Sequence, residues 1–184
     1  VEYQPIVEFN SHRWIGAEAL VRWRTWSSVI GPDQFIPSAE ETGVISAITE
    51  RVDEIVAIDL PKLLKIDPNF CISINLSAAD LRSGKTVSML QRVLLTSGAQ
   101  PKNLQVEATE GGFLQGPQSS DISRAVRALG VIMAIDDFGT GYSSLSRLEA
   151  LGADVIKIDK SFAETIATAS PMSVVVPHII EMGR

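Results

Sequence analysis

Apolar runs of strand length alternate along this chain with amphipathic stretches of helix length, a pattern that restricts the fold to repeated βα units around a mostly parallel sheet. Six runs are predicted strands: Tyr3 to Phe9, Ile15 to Trp23, Phe70 to Leu76, Leu104 to Glu110, Val131 to Asp136 and Asp154 to Ile158. Between the second and third, Ile45 to Leu64 carries Ile48, Val52, Ile55, Val56, Leu60, Leu63 and Leu64 at helical spacing. Helices are also expected over Val87 to Thr96, Asp121 to Leu129, Ser143 to Leu151 and Pro171 to Met182. Turn residues separate them, as at Gly31-Pro32-Asp33 and Gly98-Ala99-Gln100-Pro101.

Two α/β architectures fit this alternation, an open doubly wound sheet and a (β/α)8 barrel. The phosphate-binding G-x-G-x-x-G of the first is absent after the first strand, which favours the TIM-type barrel. Such a barrel takes about 250 residues and eight strands. With 184 residues, the chain is expected to be one domain, 1–184, truncated to about six strands and incomplete at its C-terminus. Its 45% hydrophobic content excludes a disordered chain, and no apolar run approaches the ~18 residues that span a bilayer. The opening Val-Glu-Tyr-Gln-Pro has neither the basic stretch nor the apolar segment of a secretory signal. A formal charge of −6 argues against a polymeric nucleic acid as partner, while an anionic small ligand would need placed cations or bound metal ions. The single cysteine, Cys71, excludes an internal disulfide and reads as a buried small hydrophobe.

Parity along the predicted strands separates the two faces of the sheet. One face collects Glu18, Leu20 and Arg22 from strand two, Cys71, Ser73 and Asn75 from strand three, and Gln105, Glu107 and Thr109 from strand four. Strand five adds Ile132, Ala134 and Asp136, and strand six adds Val155, Lys157 and Asp159. If that face is the barrel interior, its mouth gathers Glu18, Asn75, Glu107, Asp136 and Lys157, all but Glu18 late in their strands, where barrel enzymes build active sites. Carboxylates at such range repel unless a cation compensates them. Oxygen donors suit Mg²⁺ or Mn²⁺, whereas Zn²⁺ would usually bring the His or Cys cluster that is missing here. Asp137 adjoins Asp136, and the turn Gly139-Thr-Gly141 would let both reach a two-metal centre. Each element also has a plainer reading: Asp136-Asp137 as a turn or cap, Asn75 and Ser77 as helix caps, Lys157 as a surface residue on an edge strand. Trp14, Trp23 and Trp26 read as core or rim packing.

At these same residues the sequence resembles the EAL domain, a bacterial family that hydrolyses the second messenger cyclic di-GMP. The matching segments run in order through the chain: Tyr3-Gln-Pro-Ile-Val7, Glu18-Ala-Leu20 continuing to Val21-Arg22-Trp23, Phe35-Ile-Pro37 with Ala39-Glu40, Ile74-Asn-Leu-Ser77, Glu107-Ala-Thr-Glu110, Asp136-Asp-Phe-Gly-Thr-Gly-Tyr-Ser-Ser-Leu145 and Ile156-Lys-Ile-Asp-Lys160. The resemblance implies a barrel whose first strand is antiparallel, and a signalling phosphodiesterase that linearises cyclic di-GMP to 5′-pGpG. It implies Mg²⁺ or Mn²⁺ held by Glu18, Asn75, Glu107, Asp136 and Asp137, with Glu18, Asp137, Lys157 and Glu110 as catalytic residues. In that scheme Lys157 contacts the nucleophilic water and Glu110 steadies the Asp-Asp-Phe-Gly loop. Gln4, Leu20, Arg22 and Asp159 are the substrate-binding residues. The family often joins this domain to GGDEF, sensor or membrane segments and also forms homodimers, so a cytoplasmic domain of a larger, even membrane-anchored, protein is expected. Family features beyond Arg184, a Glu-Gly-Val-Glu segment and a late Gln, are not in this sequence, nor is the helix that usually precedes the first strand. The alternative from another class is a non-catalytic EAL module that receives cyclic di-GMP or binds a partner protein.

Overall fold

The computed structural model describes residues 1–113, 117–139 and 152–165. Period-two alternation in the apolar runs gives β1 (Glu2–Val7), β2 (Trp14–Leu20), β5 (Cys71–Asn75), β6 (Leu104–Thr109), β7 (Ile132–Phe138) and β8 (Val155–Ile158), which form one six-stranded sheet in the order β1-β2-β5-β6-β7-β8. β1 pairs antiparallel with β2, and every later neighbour pairs parallel. This is the curled α/β sheet of a TIM-like barrel, with the antiparallel first strand expected from the sequence.

Residues of one parity on the central strands, including Ile72, Ile74, Val106, Met133 and Ile135, are buried against the helices. α2 (Ile45–Leu64) contributes Val52, Val56 and Leu60 to that core, α3 (Thr86–Ser97) contributes Leu90 and Val93, and α5 (Pro117–Ala128) contributes Val126. Each fully buried aliphatic side chain stabilises the fold by about 1.5 to 3 kcal/mol through removal from water. α3 stops at Gly98, which takes φ +66 as its left-handed cap. The opposite parity carries Glu18, Ser73, Asn75, Gln105, Glu107 and Asp136 to the concave face.

Several expectations shift. The predicted second strand runs to Trp23, but β2 ends at Leu20, and Trp23–Arg24 (β3) instead pairs with Val29–Ile30 (β4) in a two-stranded ribbon. Glu18 therefore also sits late in its strand. α1 (Pro32–Glu41) replaces what reads as a turn at Gly31-Pro32-Asp33, because Pro32 occupies the first helical turn, where no N–H is needed. Two short helices, α4 (Glu110–Phe113) and α6 (Lys160–Thr165), follow β6 and β8. The tryptophans do not enter the core. Trp14 is 66% exposed, Trp26 is fully exposed, and Trp23 meets Phe35 edge-on at a ring separation of 5.7 Å. The helices expected over Ser143 to Leu151 and Pro171 to Met182 lie outside the described residues, and no described helix is long and apolar enough to cross a membrane.

β7 carries an irregularity at the edge of the concave face. Ile135 opposes Ile156 while Phe138 opposes Ile158, so one extra residue is accommodated at Asp136-Asp137, and Asp137 has φ +52. Gly139 follows at φ +100, and a Cβ there would lie 2.7 Å from the Phe162 ring. Both the backbone conformation and the close approach of Phe162 require glycine. Gly139→Ala is expected to destabilise the protein by about 2 to 4 kcal/mol, read from urea unfolding midpoints; an unchanged midpoint would show that neither constraint holds.

Candidate active site

Parallel register brings the polar residues of the concave face into a row. Glu18 opposes Ser73, Asn75 opposes Glu107, and Thr109 opposes Asp136 across successive strand pairs. Carboxylate oxygens of Glu18, Glu107 and Asp136 lie within 4.8 Å of one another. The Lys157 ammonium reaches all three, at 3.1 Å from Glu18 Oε2, at 3.2 Å from Asp136 Oδ2, and in a short contact with Glu107 Oε2. Asn75 Nδ2 donates to Glu18 Oε1 at 2.8 Å. Five residues named by strand parity thus form one connected cluster at the C-terminal ends of the strands.

Asn75 and Ser77 have separate duties. Ser77 and Asp80 bond reciprocally after β5, with Ser77 Oγ donating to Asp80 Oδ2 at 2.7 Å and the Asp80 N–H donating to Ser77 Oγ at 3.2 Å. That exchange resembles a capping box and fixes the chain just beyond Asn75. Asn75 itself belongs to the carboxylate cluster.

The electrostatics follow from burial. Glu107 is wholly buried, and burial raises its pKa, offset in part by the Lys157 ammonium and a hydrogen bond from Ser73. Burial pulls Lys157 down, but the hydrogen bond and charge of Glu107, with Asp136 and Glu18, outweigh it and hold the ammonium protonated. Asp137 is exposed and its pKa is raised by partial desolvation and by the nearby Asp136 and Asp159 charges. Its backbone N–H donates to Asp136 Oδ1 at 3.0 Å. One ammonium facing three carboxylates leaves a local excess of negative charge, and every donor in the set is oxygen. That combination fits a hard divalent cation. Cys71 is half-buried, its thiol pushed up to about 12 by burial and by Glu107, which keeps it protonated.

Other candidates lie around this cluster. Gln4 is exposed on β1 opposite Glu18. Leu20 and Arg22 border, with Asn75 and Ser77, a cavity of about 230 Å³. Arg22 is engaged by Glu2, to which its Nε donates at 3.0 Å, and by the Val21 carbonyl at 3.0 Å. The Asp159 carboxylate accepts from the Ser161 N–H at 2.9 Å and from the Ser161 hydroxyl, which makes it the cap of α6. Glu110 begins α4, immediately after β6. Sequence reading places Ser73 and Gln105 on the concave face without a role. Here Gln105 Nε2 donates to Glu107 Oε1 at 2.7 Å and to Ser73 Oγ at 3.0 Å. Their shared parity with Glu107 is the signal that locates them.

Fold and site together define a TIM-like α/β protein with a metal-competent acidic cluster at the C-terminal ends of its strands. The chain belongs to the EAL domain family, whose profile matches residues 1–184. It is 40% identical over 185 residues to a probable cyclic di-GMP phosphodiesterase, PdeB, of Escherichia coli, covering 100% of this chain and 35% of that protein. Identity is 37% to MucR of Pseudomonas aeruginosa, named a bifunctional diguanylate cyclase/cyclic di-GMP phosphodiesterase, over 100% of this chain and 27% of that protein. A solved MucR phosphodiesterase in complex with cyclic di-GMP superposes with a TM-score of 0.91 at 36% identity, over 99% of this chain and 75% of that one. The chain therefore spans about a third or less of the curated relatives it matches.

Proposed function

We propose that the protein carrying this chain hydrolyses cyclic di-GMP to linear 5′-pGpG. The observation that carries this reading is the convergence of Glu18, Glu107, Asp136 and Lys157 in a member of a family whose relatives are named for that activity. Glu18, Asn75, Glu107, Asp136 and Asp137 would hold Mg²⁺ or Mn²⁺. When bound, these ions lower the pKa of an attacking water and offset the charge of the phosphodiester.

The chain's own residues supply the rest. Lys157, anchored among the carboxylates, keeps a cation beside the position of the attacking water, and the hydrogen bonds of Glu18 and Glu107 hold it there. The left-handed turn at Asp137 lets a second carboxylate lie next to Asp136 at the sheet edge, and Glu110 steadies that loop. Gln4, Leu20, Arg22 and Asp159 line the dinucleotide, with Arg22 exchanging Glu2 for a phosphate oxygen. GGDEF or sensor domains elsewhere in the protein would couple this site to a signal.

The test is chromatographic detection of 5′-pGpG from cyclic di-GMP by the purified protein with Mg²⁺ or Mn²⁺. Excess EDTA is expected to abolish product, and undiminished turnover in EDTA would remove the metal from the scheme. Tight nucleotide binding without any linear product would instead identify a receptor. Arg22→Ala is expected to weaken substrate binding by about 1.5 to 3 kcal/mol, the worth of a hydrogen bond to a charged group, with kcat changed far less. A fall confined to kcat would place Arg22 at the reacting atoms instead.

A further inference from the structure

We propose that Gln105 and Ser73 form a positioning device that makes Glu107 present a single oxygen to the cation site and thereby selects small, strictly octahedral ions over Ca²⁺. The inference rests on the metal-dependent reading of the cluster given above.

Glu107 has no exposure to solvent, so both of its oxygens must find partners within the protein. They are divided cleanly. Oε2 faces Lys157, and with it the oxygens of Glu18 and Asp136. Oε1 faces the other way along the strand and accepts from Gln105 Nε2 at 2.7 Å. The same amide nitrogen donates to Ser73 Oγ at 3.0 Å. The result is a bridge between two strands: Gln105 links Glu107, two residues away on β6, to Ser73, its register partner on β5. Ser73 is 1% exposed and Gln105 8%, so water does not compete for these bonds.

A carboxylate free to rotate can offer both oxygens to one ion, a mode that Ca²⁺ uses readily because it accepts six to eight ligands at variable angles. Mg²⁺ demands near-ideal octahedral geometry and gains nothing from a second oxygen of the same group. By holding Oε1 in a protein hydrogen bond, Gln105 removes the bidentate option and fixes the direction of Oε2. Partners that orient a ligand in this way typically contribute 10- to 100-fold in metal affinity.

The experiment is calorimetric titration of the intact, metal-free protein with MgCl₂, MnCl₂ and CaCl₂ alone, on the wild type, Gln105→Leu and Ser73→Ala, alongside melting curves in EDTA. Gln105→Leu is expected to lower Mg²⁺ and Mn²⁺ affinity by about tenfold while Ca²⁺ affinity changes by less than about threefold, narrowing the selectivity ratio. Ser73→Ala, which leaves the Gln105 amide in place without its second anchor, should shift the ratio in the same direction by a smaller factor. A residue acting only through fold stability would lower the EDTA melting temperature and all three affinities together, and that pattern overturns the proposal. An unchanged ratio in both variants overturns it as well, and Ser73→Ala alone decides the question if Gln105→Leu does not fold. If the wild type binds neither Mg²⁺ nor Mn²⁺, it is the metal-dependent reading of the cluster that fails.

Discussion

Glu18→Ala and Asp136→Ala are each expected to reduce turnover of cyclic di-GMP by three to four orders of magnitude, corresponding to about 4 to 5.5 kcal/mol of transition-state stabilisation. The size follows from the cluster's construction. Oxygens of Glu18, Glu107 and Asp136 lie within 4.8 Å of one another and share one ammonium, so each carboxylate supplies one of the three negative charges gathered there. Removing one leaves Lys157 bonded to the remaining two, and the formal net charge of the cluster is halved, from −2 to −1. Affinity for a cation then falls together with the field that would act on the phosphodiester. Glu18→Ala carries a second cost, because Asn75 Nδ2 loses its acceptor at 2.8 Å. Initial rates at saturating Mg²⁺ or Mn²⁺ measure the effect, and wild-type turnover in either variant would place the chemistry elsewhere. Melting curves of the same variants in EDTA are expected to stay close to wild type, since these side chains lie on the polar concave face and outside the apolar core.

Strand parity makes much of this site readable from the sequence. Glu18, Asn75, Glu107, Asp136 and Lys157 come together because parallel strands in register align residues of one parity into rows, and a period of two leaves no alternative once one face is apolar. What parity does not carry is the course of the backbone where strands end. Asp136 and Asp137 are adjacent and should face opposite sides; the left-handed φ of Asp137 within β7 breaks that rule one turn before the Gly139-Thr-Gly141 segment expected to do so. The β3–β4 ribbon is missed because two-residue strands show no periodicity. α1 is missed because Gly31-Pro32-Asp33 reads as a turn, although Pro32 sits where a helix tolerates it. Hydrogen-bond allegiance is equally invisible: nothing in the sequence separates Ser77, which caps, from Asn75, which joins the cluster, or shows that Arg22 is held by Glu2.

The same blindness applies to Asp53, which lies on the buried side of α2 in line with Thr49 and Leu60, where helical spacing alone suggests an apolar residue. It is 1% exposed, and neither carboxylate oxygen has a hydrogen-bond partner. Burial, with the nearby Asp80 and Glu50 charges, pushes it up to about 8, although Arg92 opposes the shift. Arg92 is itself paired with Glu50 at 2.9 Å, and Asp80 is satisfied by Thr49 and Ser77, so no neighbour is free to neutralise it fully. A carboxyl whose folded pKa exceeds its unfolded value, about 3.9, holds its proton in the native state while the unfolded chain releases it. Its favourable contribution is therefore complete below about pH 4 and is lost as pH rises through about 8. Stability of the wild type should fall across that window, and Asp53→Leu should remove that part of the fall. At pH 8 the substitution is expected to stabilise the protein by about 1 to 3 kcal/mol, since it removes a buried unpaired charge and improves helix propensity. At pH 5 the gain should be smaller, because Asp53 is then neutral in the folded protein. Urea unfolding of wild type and Asp53→Leu at both pH values reads the difference directly. A gain of equal size at pH 5 and pH 8 would show that Asp53 does not titrate in this range, and a loss at pH 8 would show that the carboxylate has a partner that stabilises its charge.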